Sequence, residues 1–266
     1  LFGHACDMDE IMTFAKEKNL KVIEDCAQSP GGIYKDDYLG TIGDCGVFSF
    51  QETKNMTTGE GGMLITNDEN IATIARMVRN HGEMIEPIQK SRSYVSEFLG
   101  WGYRMTELEA ALGIAQLSKL DYLNAERINL AEYLSSEINK IDGLKHVKYD
   151  FVKHVYYVFA FSFDEEKIGI SRNKFCESLN AEGIPCGAGY VKPLYMNPLY
   201  LEKRSFAFKH YTGKFEYFKG LCPVTEKLHE EKVVTLAIVR PPATIDDMND
   251  IVNAIKKIFE NKEKLK

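Results

Sequence analysis

The chain has 266 residues, a formal net charge of −6, and ordinary hydrophobic and charged fractions of 44% and 27%, so it can bury a substantial core as a globular protein. This mild charge argues against electrostatic binding of nucleic acid, and no apolar run reaches the roughly 20 residues that a membrane-spanning helix requires. The six cysteines lack CxxC or Cys/His spacing, which leaves a structural zinc site without support and favours reduced thiols in a cytoplasmic protein.

Helix and strand signals alternate over the first hundred residues. Residues 7–10 are rich in acids and precede apolar positions at helical spacing, which predicts a short helix. Thr66 and Glu69 have the spacing of a capping box and predict a second helix after them. Apolar, β-branched stretches predict strands at residues 20–23, 47–50 and 63–66. This alternation predicts a layered α/β domain.

The middle of the chain contains a long loop followed by a long helix. Residues 82–103 lack clear periodicity, and a loop of that length inside a compact domain is more often functional than not. A second capping box, Thr106 with Glu109, predicts a long helix that runs to about residue 141. Gly143 then marks its end.

The pattern changes after residue 143. Residues 155–163 predict a strand, and Ser171 and Thr244 each precede an amphipathic helix. Gly183 lies where a glycine commonly ends a helix. We therefore predict a domain boundary after residue 143, with residues 144–266 forming a smaller α+β domain.

Three chemically distinct side chains follow predicted strands. Asp25 ends the first strand, Ser49 lies near the end of the second, and Lys54 follows five residues later, before the glycine-rich residues 59–62. Ligands bind outside the carboxyl ends of strands in open α/β sheets, so these residues can share one crevice. Singly, each has an ordinary interpretation: a surface lysine, a turn-forming aspartate, or a tight connection.

Together the residues fit the needs of a pyridoxal phosphate (PLP) enzyme. Such an enzyme needs a lysine amine that holds the coenzyme as a Schiff base and moves protons, and Lys54 can supply it. It also needs an acid beside the pyridine nitrogen, which Asp25 can provide. Ser49 and glycine amides can bind phosphate, and Gln28 can donate to the ring oxygen.

A longer set of residues places this pattern in a known family. These residues are Ile23-Glu24-Asp25-Cys26-Ala27-Gln28-Ser29, Gly43-Asp44-Cys45-Gly46-Val47-Phe48-Ser49-Phe50, Thr53-Lys54-Asn55, Gly59-Glu60-Gly61-Gly62, Arg79-Asn80-His81-Gly82 and Tyr103-Arg104-Met105-Thr106-Glu107-Leu108. In this order and spacing they resemble the signature of the DegT/DnrJ/EryC1/StrS family of PLP-dependent sugar aminotransferases. Weaker similarity extends into the final helix.

The resemblance implies a fold-type I enzyme, usually a homodimer with active sites at the subunit interface. Residues 1–143 would form the C-terminal portion of the PLP-binding large domain, with a long connecting helix. The resemblance assigns Lys54 to the internal aldimine and to proton transfer, Asp25 to the pyridine nitrogen, Gln28 to the ring oxygen and Ser49 to phosphate. Related sugar dehydratases carry histidine at the position of Lys54, so the lysine favours transamination.

The chain departs from the family pattern at Gly102, where members commonly have an asparagine that reaches the neighbouring subunit's phosphate. Arg104 matches the pattern, and a structural ion pair is an equally good interpretation of it. Family members also carry a further segment before Leu1, with a phosphate-binding turn and an aromatic residue that stacks on the coenzyme. We therefore expect the sequence to be a piece of a longer protein.

The implied reaction moves an amino group from an amino acid, with glutamate expected, to a keto-sugar that is commonly nucleotide-linked. A cyclitol ketone or an aminohydroxybenzoate-type precursor stays open as the acceptor, because Tyr195 stands where many members that act on nucleotide sugars have histidine. A non-catalytic regulatory or binding protein of the same fold is the rival from another class. The histidines His81 and His154 with Cys176 suggest no nucleophile motif, and Tyr190 and Tyr195 are as well explained by packing.

Overall fold

A computed structural model of the chain describes residues 1–84 and 94–265. The chain forms two compact units. The first comprises Leu1–Ile128 with Lys148–Tyr157, and the second comprises Asn129–Val147 with the chain from Val158 onward. The domain boundary expected after residue 143 stays a prediction.

Helices and strands are numbered along the chain. The helices are α1 Met8–Lys18, α2 Glu69–Arg79, α3 Glu107–Ile138, α4 Glu165–Ile168, α5 Arg172–Ala181, α6 Pro198–Leu201, α7 Pro223–Lys227 and α8 Ile245–Glu260. The strands are β1 Ile23–Asp25, β2 Ile33–Tyr34, β3 Asp37–Tyr38, β4 Cys45–Ser49, β5 Gly62–Ile65, β6 Leu144–Lys145, β7 Val152–Lys153, β8 Phe159–Phe163, β9 Gly187–Ala188 and β10 Val233–Leu236. Short 3-10 helices lie at Leu194–Met196, Phe206–His210 and Lys262–Lys264, and a π-helical turn lies at Leu228–Lys232.

The first unit contains a mixed sheet of strand order β1-β4-β5. Strands β1 and β4 pair in parallel, whereas β4 and β5 pair antiparallel. A second small sheet has the order β3-β2-β7. Because helices and a parallel strand pair occur in one unit, the predicted α/β class is confirmed.

Apolar side chains of α1 and the sheets pack into the core of the first unit. One cluster contains Met8, Cys26, Tyr34, Leu39 and Val152. A neighbouring cluster joins Phe50 and Met56 to Leu120 of α3, with Phe48 packed against both clusters. The residues that flank the predicted site, Cys26 and Phe50, are therefore anchored in the core.

The second unit has an antiparallel sheet of order β6-β8-β10-β9 with helices packed against it. Its core is aromatic and aliphatic: Phe163 and Phe175 lie with ring centroids 4.9 Å apart, and Ile251 and Ile255 of α8 are almost fully buried. Each such side chain contributes about 1.5–3 kcal/mol on burial. The long apolar face of α8 predicted from its sequence is confirmed.

Three helix starts agree with the sequence. Thr106 and Glu109 form the expected reciprocal capping box, and Thr244 forms another with Asp247 at the start of α8. Ser171 accepts from the Lys174 amide at 3.2 Å and caps α5. These side chains satisfy amide groups that the first turn of a helix leaves without partners.

Other local predictions need correction. Helix α2 is capped by Asp68 rather than Thr66, because the Thr66 hydroxyl instead donates to the Asp44 carbonyl and accepts from the Asp68 amide. The strand expected over residues 155–163 begins only at Phe159, because the backbone turns at Tyr156, where φ is 46°. The first strand lies at Ile23–Asp25, later than residues 20–23.

The described parts of the loop predicted over residues 82–103 contain no helix or extended strand; isolated bridges join Glu83 to Ser96 and Asn80 to Gly102. Residues 85–93 of that loop lie outside the described residues. Within the described part of the chain, none of the helices is both long and apolar enough to cross a membrane.

Candidate active site

Two adjacent acids on β1 point to opposite faces of the sheet. Glu24 is buried, and its carboxylate accepts hydrogen bonds from the amides of Gly40, Ile42 and Gly43 at 2.7–2.8 Å. Asp25, the next residue, is exposed, since successive side chains of a strand alternate between faces. The buried acid therefore fixes the end of β1, and the exposed acid is left available to a ligand.

Ser49 shares a sheet face with Asp25. In the parallel pairing Asp25 lies beside Val47, and Ser49 follows Val47 by two residues on β4. Two residues is one full period of a strand, so Ser49 points to the same side as Val47. The Ser49 hydroxyl accepts from the Gln51 amide at 3.4 Å, and its own hydrogen is not used in that bond. Asp25 and Ser49 thus lie on neighbouring strands, toward the same end and the same face.

Lys54 lies in the loop between β4 and β5. The loop begins with a tight turn in which the Lys54 amide donates to the Gln51 carbonyl at 3.0 Å. It ends at Gly61, whose φ of 144° and whose close approach to Thr58 leave no room for a side chain. At Gly59 φ is 86°, and an added Cβ would meet nothing within 4 Å. The glycines therefore allow the positive φ angles with which the loop returns to β5, and open space remains beside Gly59.

The amine of Lys54 faces an aromatic ring. Its Nζ lies 4.6 Å from the ring centroid of Tyr157, and the Tyr157 hydroxyl lies 2.7 Å from Oγ1 of Thr53. Both contacts lie within the first unit, although about a hundred residues of chain separate the partners.

Gln28 is oriented by the first residues of the chain. Its Oε1 accepts from the Phe2 amide at 2.6 Å, which places the oxygen of the side-chain amide on Phe2 and directs the NH2 group elsewhere. Gly3 has φ of 96° and no side chain, and a Cβ there would come within 2.9 Å of the backbone nitrogens of Tyr156 and Tyr157. Gln28, Gly3 and the backbone that carries Tyr157 are therefore packed together.

A buried amide pair supports the lysine loop from behind. The Asn55 side chain donates to Asn124 Oδ1 of α3 and to the Val155 carbonyl, both at 2.9 Å. Asn124 in turn donates to the Pro30 carbonyl at 2.9 Å. This network connects the segments that carry Gln28, Lys54 and Tyr157.

Sequence reasoning missed Tyr157 and Asn124, and it named Asn55 only as part of the family pattern, without a role. For Asn124 the sequence does contain a signal, since a lone asparagine follows Leu120 by one helical turn on the buried stripe of α3. The positions of Asp25 and Ser49 agree with the expected strand ends. The coenzyme roles of these side chains stay predictions.

Other candidate residues have structural contacts. Arg104 donates to Asn80 Oδ1 at 2.5 Å, and a Cβ at Gly102 would lie 3.2 Å from the His81 ring. In the second unit the Tyr195 hydroxyl donates to the buried Glu226. Burial, with this bond as the second cause, raises the pKa of Tyr195 to about 12.

Comparisons with known proteins identify relatives along nearly the whole chain. The model of the DegT/DnrJ/EryC1/StrS aminotransferase family matches residues 1–256. An uncharacterised protein of Methanocaldococcus jannaschii is 36% identical over 96% of this chain and 64% of its own length. A GDP-perosamine synthase of Escherichia coli O157:H7 is 34% identical over 88% of this chain and 61% of its own length.

A solved structure shows the same fold. The aminotransferase from Psychrobacter cryohalolentis superposes with a TM-score of 0.84 at 30% identity, over 98% of this chain and 67% of that chain. This likeness confirms the predicted fold-type I architecture. The chain spans somewhat less than two thirds of the length of the curated relatives described above.

Proposed function

Because the chain belongs to the DegT/DnrJ/EryC1/StrS aminotransferase family, we propose that it is the lysine-bearing part of a PLP-dependent sugar aminotransferase. The observation that carries the proposal is the placement of Asp25 and Ser49 at one end and on one face of the β1–β4 pair, directly before the Lys54 loop. Ligands of open α/β sheets bind at such strand ends.

The residues present fit this coenzyme. An exposed carboxylate, a hydroxyl, a primary amine and an amide occur together, and open space lies beside Gly59. A carboxylate suits a protonated pyridine nitrogen, and hydroxyl and backbone N–H groups suit a phosphate. We assign these roles to Asp25 and Ser49 respectively, and Gln28 donates to the ring oxygen.

The coenzyme, when bound, supplies an electron-withdrawing ring that stabilises the charge left when a C–H bond beside nitrogen is broken. Lys54 would hold the coenzyme covalently and would act as the base and acid that moves this proton. Asp25 keeps the ring nitrogen protonated, because a nearby carboxylate favours the charged form of a base. Ser49 and the backbone N–H groups of the loop glycines would hold the phosphate.

The substrates follow from the family and from one relative. We propose that an amino acid, glutamate, is the donor and that a nucleotide-linked keto-sugar is the acceptor, as the name of the GDP-perosamine synthase relative suggests. A cyclitol ketone is the second acceptor to test.

The test begins with coenzyme capture by the intact protein. Pyridoxal phosphate should give a visible absorbance band, and borohydride should fix the coenzyme on Lys54, where mass spectrometry locates it. Lys54→Ala should lose both signals, whereas Lys18→Ala, at an exposed lysine of α1, should keep them. A protein that binds no coenzyme at saturation would contradict the proposal. Amino transfer from glutamate to each acceptor then decides the substrate class.

Self-association is part of this proposal. The part of helix α3 that belongs to the first unit exposes large apolar side chains: Leu108 is 85% exposed, Ile114 75% and Leu117 61%. Ile114 and Leu117 are three residues apart and therefore lie on one face of the helix, and exposed apolar surface is typical of protein interfaces. We expect a homodimer, and Leu117→Lys should shift the mass measured by light scattering toward the monomer. Lys119→Glu, at an exposed position of the same helix, serves as a charged control. An unchanged mass for Leu117→Lys would count against this interface.

A further inference from the structure

Within the described residues, the aromatic ring of Tyr157 contacts the amine of Lys54. Nζ lies 4.6 Å from the ring centroid, inside the roughly 6 Å range at which an aromatic face attracts an ammonium group. Among the residues that the structure describes, no carboxylate forms an ion pair with Lys54. The ring therefore supplies the electrostatic attraction for the charged amine that a carboxylate often supplies to a half-buried lysine.

The Tyr157 ring is held by a directed chain of hydrogen bonds. The Thr53 hydroxyl donates its single hydrogen to Gln51 Oε1 at 2.6 Å. It must therefore accept at its 2.7 Å contact with Tyr157, which makes the tyrosine hydroxyl the donor. Gln51 also accepts from the Thr53 amide at 3.0 Å. The hydroxyl of Tyr157 is thus hydrogen-bonded to Thr53, the residue that precedes Lys54.

The backbones of the two partners are also joined. Asn55, which follows Lys54, donates to the carbonyl of Val155, two residues before Tyr157. Gly3 packs against the backbone nitrogen of Tyr157, and the Gly3 carbonyl accepts from the Val155 amide at 3.1 Å. The position of the ring relative to Lys54 is therefore set at both ends, through Thr53 and through Asn55.

From this geometry, and resting on the function proposed above, we propose that Tyr157 is the positioning residue for the Lys54 amine. A lysine side chain loses considerable rotamer entropy when it is fixed, and a ring face can fix it without accepting a hydrogen bond. The attraction acts on the charged amine and vanishes when the amine loses its proton. The ring thus holds Lys54 in place while it is charged and leaves the neutral amine free to attack.

Labelling of the coenzyme-free protein tests the contact directly. A brief acetylation pulse, read by mass spectrometry as the ratio of Lys54 to the exposed Lys18, measures how far Lys54 is covered. Tyr157→Leu removes the ring and should raise the ratio about two- to fivefold, whereas Tyr157→Phe keeps the ring face and should change it little. Equal ratios in the wild type and Tyr157→Leu would overturn the proposal.

Variants at Thr53 test the anchor without altering the ring. Thr53→Val loses the hydroxyl and should raise the Lys54 labelling ratio in the same direction as Tyr157→Leu, and Thr53→Ser should restore the wild-type ratio. This pair remains informative if Tyr157→Leu fails to fold. A Thr53→Val ratio equal to wild type would show that the ring needs no anchor and would contradict that step.

Coenzyme capture separates this inference from the proposed function. In the wild type, borohydride should fix pyridoxal phosphate on Lys54, and in Tyr157→Leu the rate of capture should fall about two- to fivefold at unchanged thermal unfolding temperature. No capture in the wild type would contradict the proposed function alone, since the labelling result does not need the coenzyme. Normal capture and normal labelling in Tyr157→Leu would overturn the role of Tyr157 alone.

Discussion

The Asn55 side chain donates a hydrogen bond of 2.9 Å to Oδ1 of Asn124, 69 residues further along the chain. Both residues are buried, Asn124 completely. This bond and the one from Asn55 to the Val155 carbonyl hold the residue after Lys54 against α3 and against the segment that precedes Tyr157.

Asn124→Ala should lower the free energy of unfolding by about 1–3 kcal/mol, because it removes one of the two acceptors of the buried Asn55 amide and the Asn124 donor to the Pro30 carbonyl. Urea denaturation measures the loss. Asn253→Ala, at an exposed position of α8, is the matched change and should stay within about 0.5 kcal/mol of the wild type. Equal stability of both variants would contradict the importance of the network.

Glu24→Gln should destabilise the first unit by about 1–3 kcal/mol. The amide replaces one carboxylate oxygen by a donor, which would face the amides of Gly40, Ile42 or Gly43. Hydrogen exchange at these amides should accelerate in the variant. Glu10→Gln, on the exposed surface of α1, should leave the exchange of the same amides unchanged.

Asp25→Asn should impair amino transfer and leave stability nearly unchanged, whereas Glu24→Gln should lower stability. Asp25 is exposed and accepts one local bond from the Ala27 amide at 3.0 Å, so the unfolding free energy should change by less than about 0.5 kcal/mol. Amino transfer should fall strongly, because asparagine cannot hold the coenzyme's pyridine nitrogen protonated. Retention of wild-type turnover by Asp25→Asn would remove the proposed role of this acid.

Cys26 gives a pH-dependent prediction. Burial raises the pKa of its thiol from 9.0 to about 11. Between these values the unfolded chain releases the proton and the folded chain keeps it. The contribution of the thiol to stability is therefore complete below pH 9.0 and is lost as pH rises toward about 11. Cys26→Ala should flatten this part of the stability curve, whereas Cys222→Ala, at an exposed cysteine, should not.

The Tyr195–Glu226 bond predicts behaviour in acid. The hydroxyl of Tyr195 lowers the pKa of the Glu226 carboxyl below its ordinary value of 4.5. Stability from this bond is present above pH 4.5 and is lost as pH falls through the lowered pKa. In Tyr195→Phe, the free energy of unfolding measured in urea should fall less steeply as the pH is lowered. Tyr211→Phe is the control, and equal curves for both variants would contradict the prediction.

Much of the site could be predicted because it follows strand ends. Asp25 and Ser49 were expected at the ends of strands, and the parallel pairing of β1 with β4 places them there. The assignment of Lys54 rests on its neighbours in sequence and stays a prediction. The helix starts at Thr106, Ser171 and Thr244 are also predictable, because a capping residue and its hydrogen-bond partners lie within four residues of sequence.

Contacts between distant segments could not be predicted in the same way. The sequence predicts a strand at Tyr157, because no glycine or asparagine marks the turn at Tyr156, whose backbone is left-handed. Its contact with Lys54 depends on Gly3, Asn55 and Asn124 together, and no sequence period connects these positions. Thr66 failed as a helix cap for a related reason, because the Asp44 carbonyl competes for its hydroxyl.

Because residue 3 is a glycine, the surrounding backbone packs closely against it, which has a practical consequence for protein engineering. Any larger residue there would press on the backbone of Tyr156 and Tyr157, and its neighbour Phe2 holds Gln28. Chimaeras built from members of this family should therefore exchange residues 1–4, Gln28 and residues 154–157 as one cassette. A graft that takes the lysine loop from one parent and this cassette from another should fold and yet carry a misplaced Lys54.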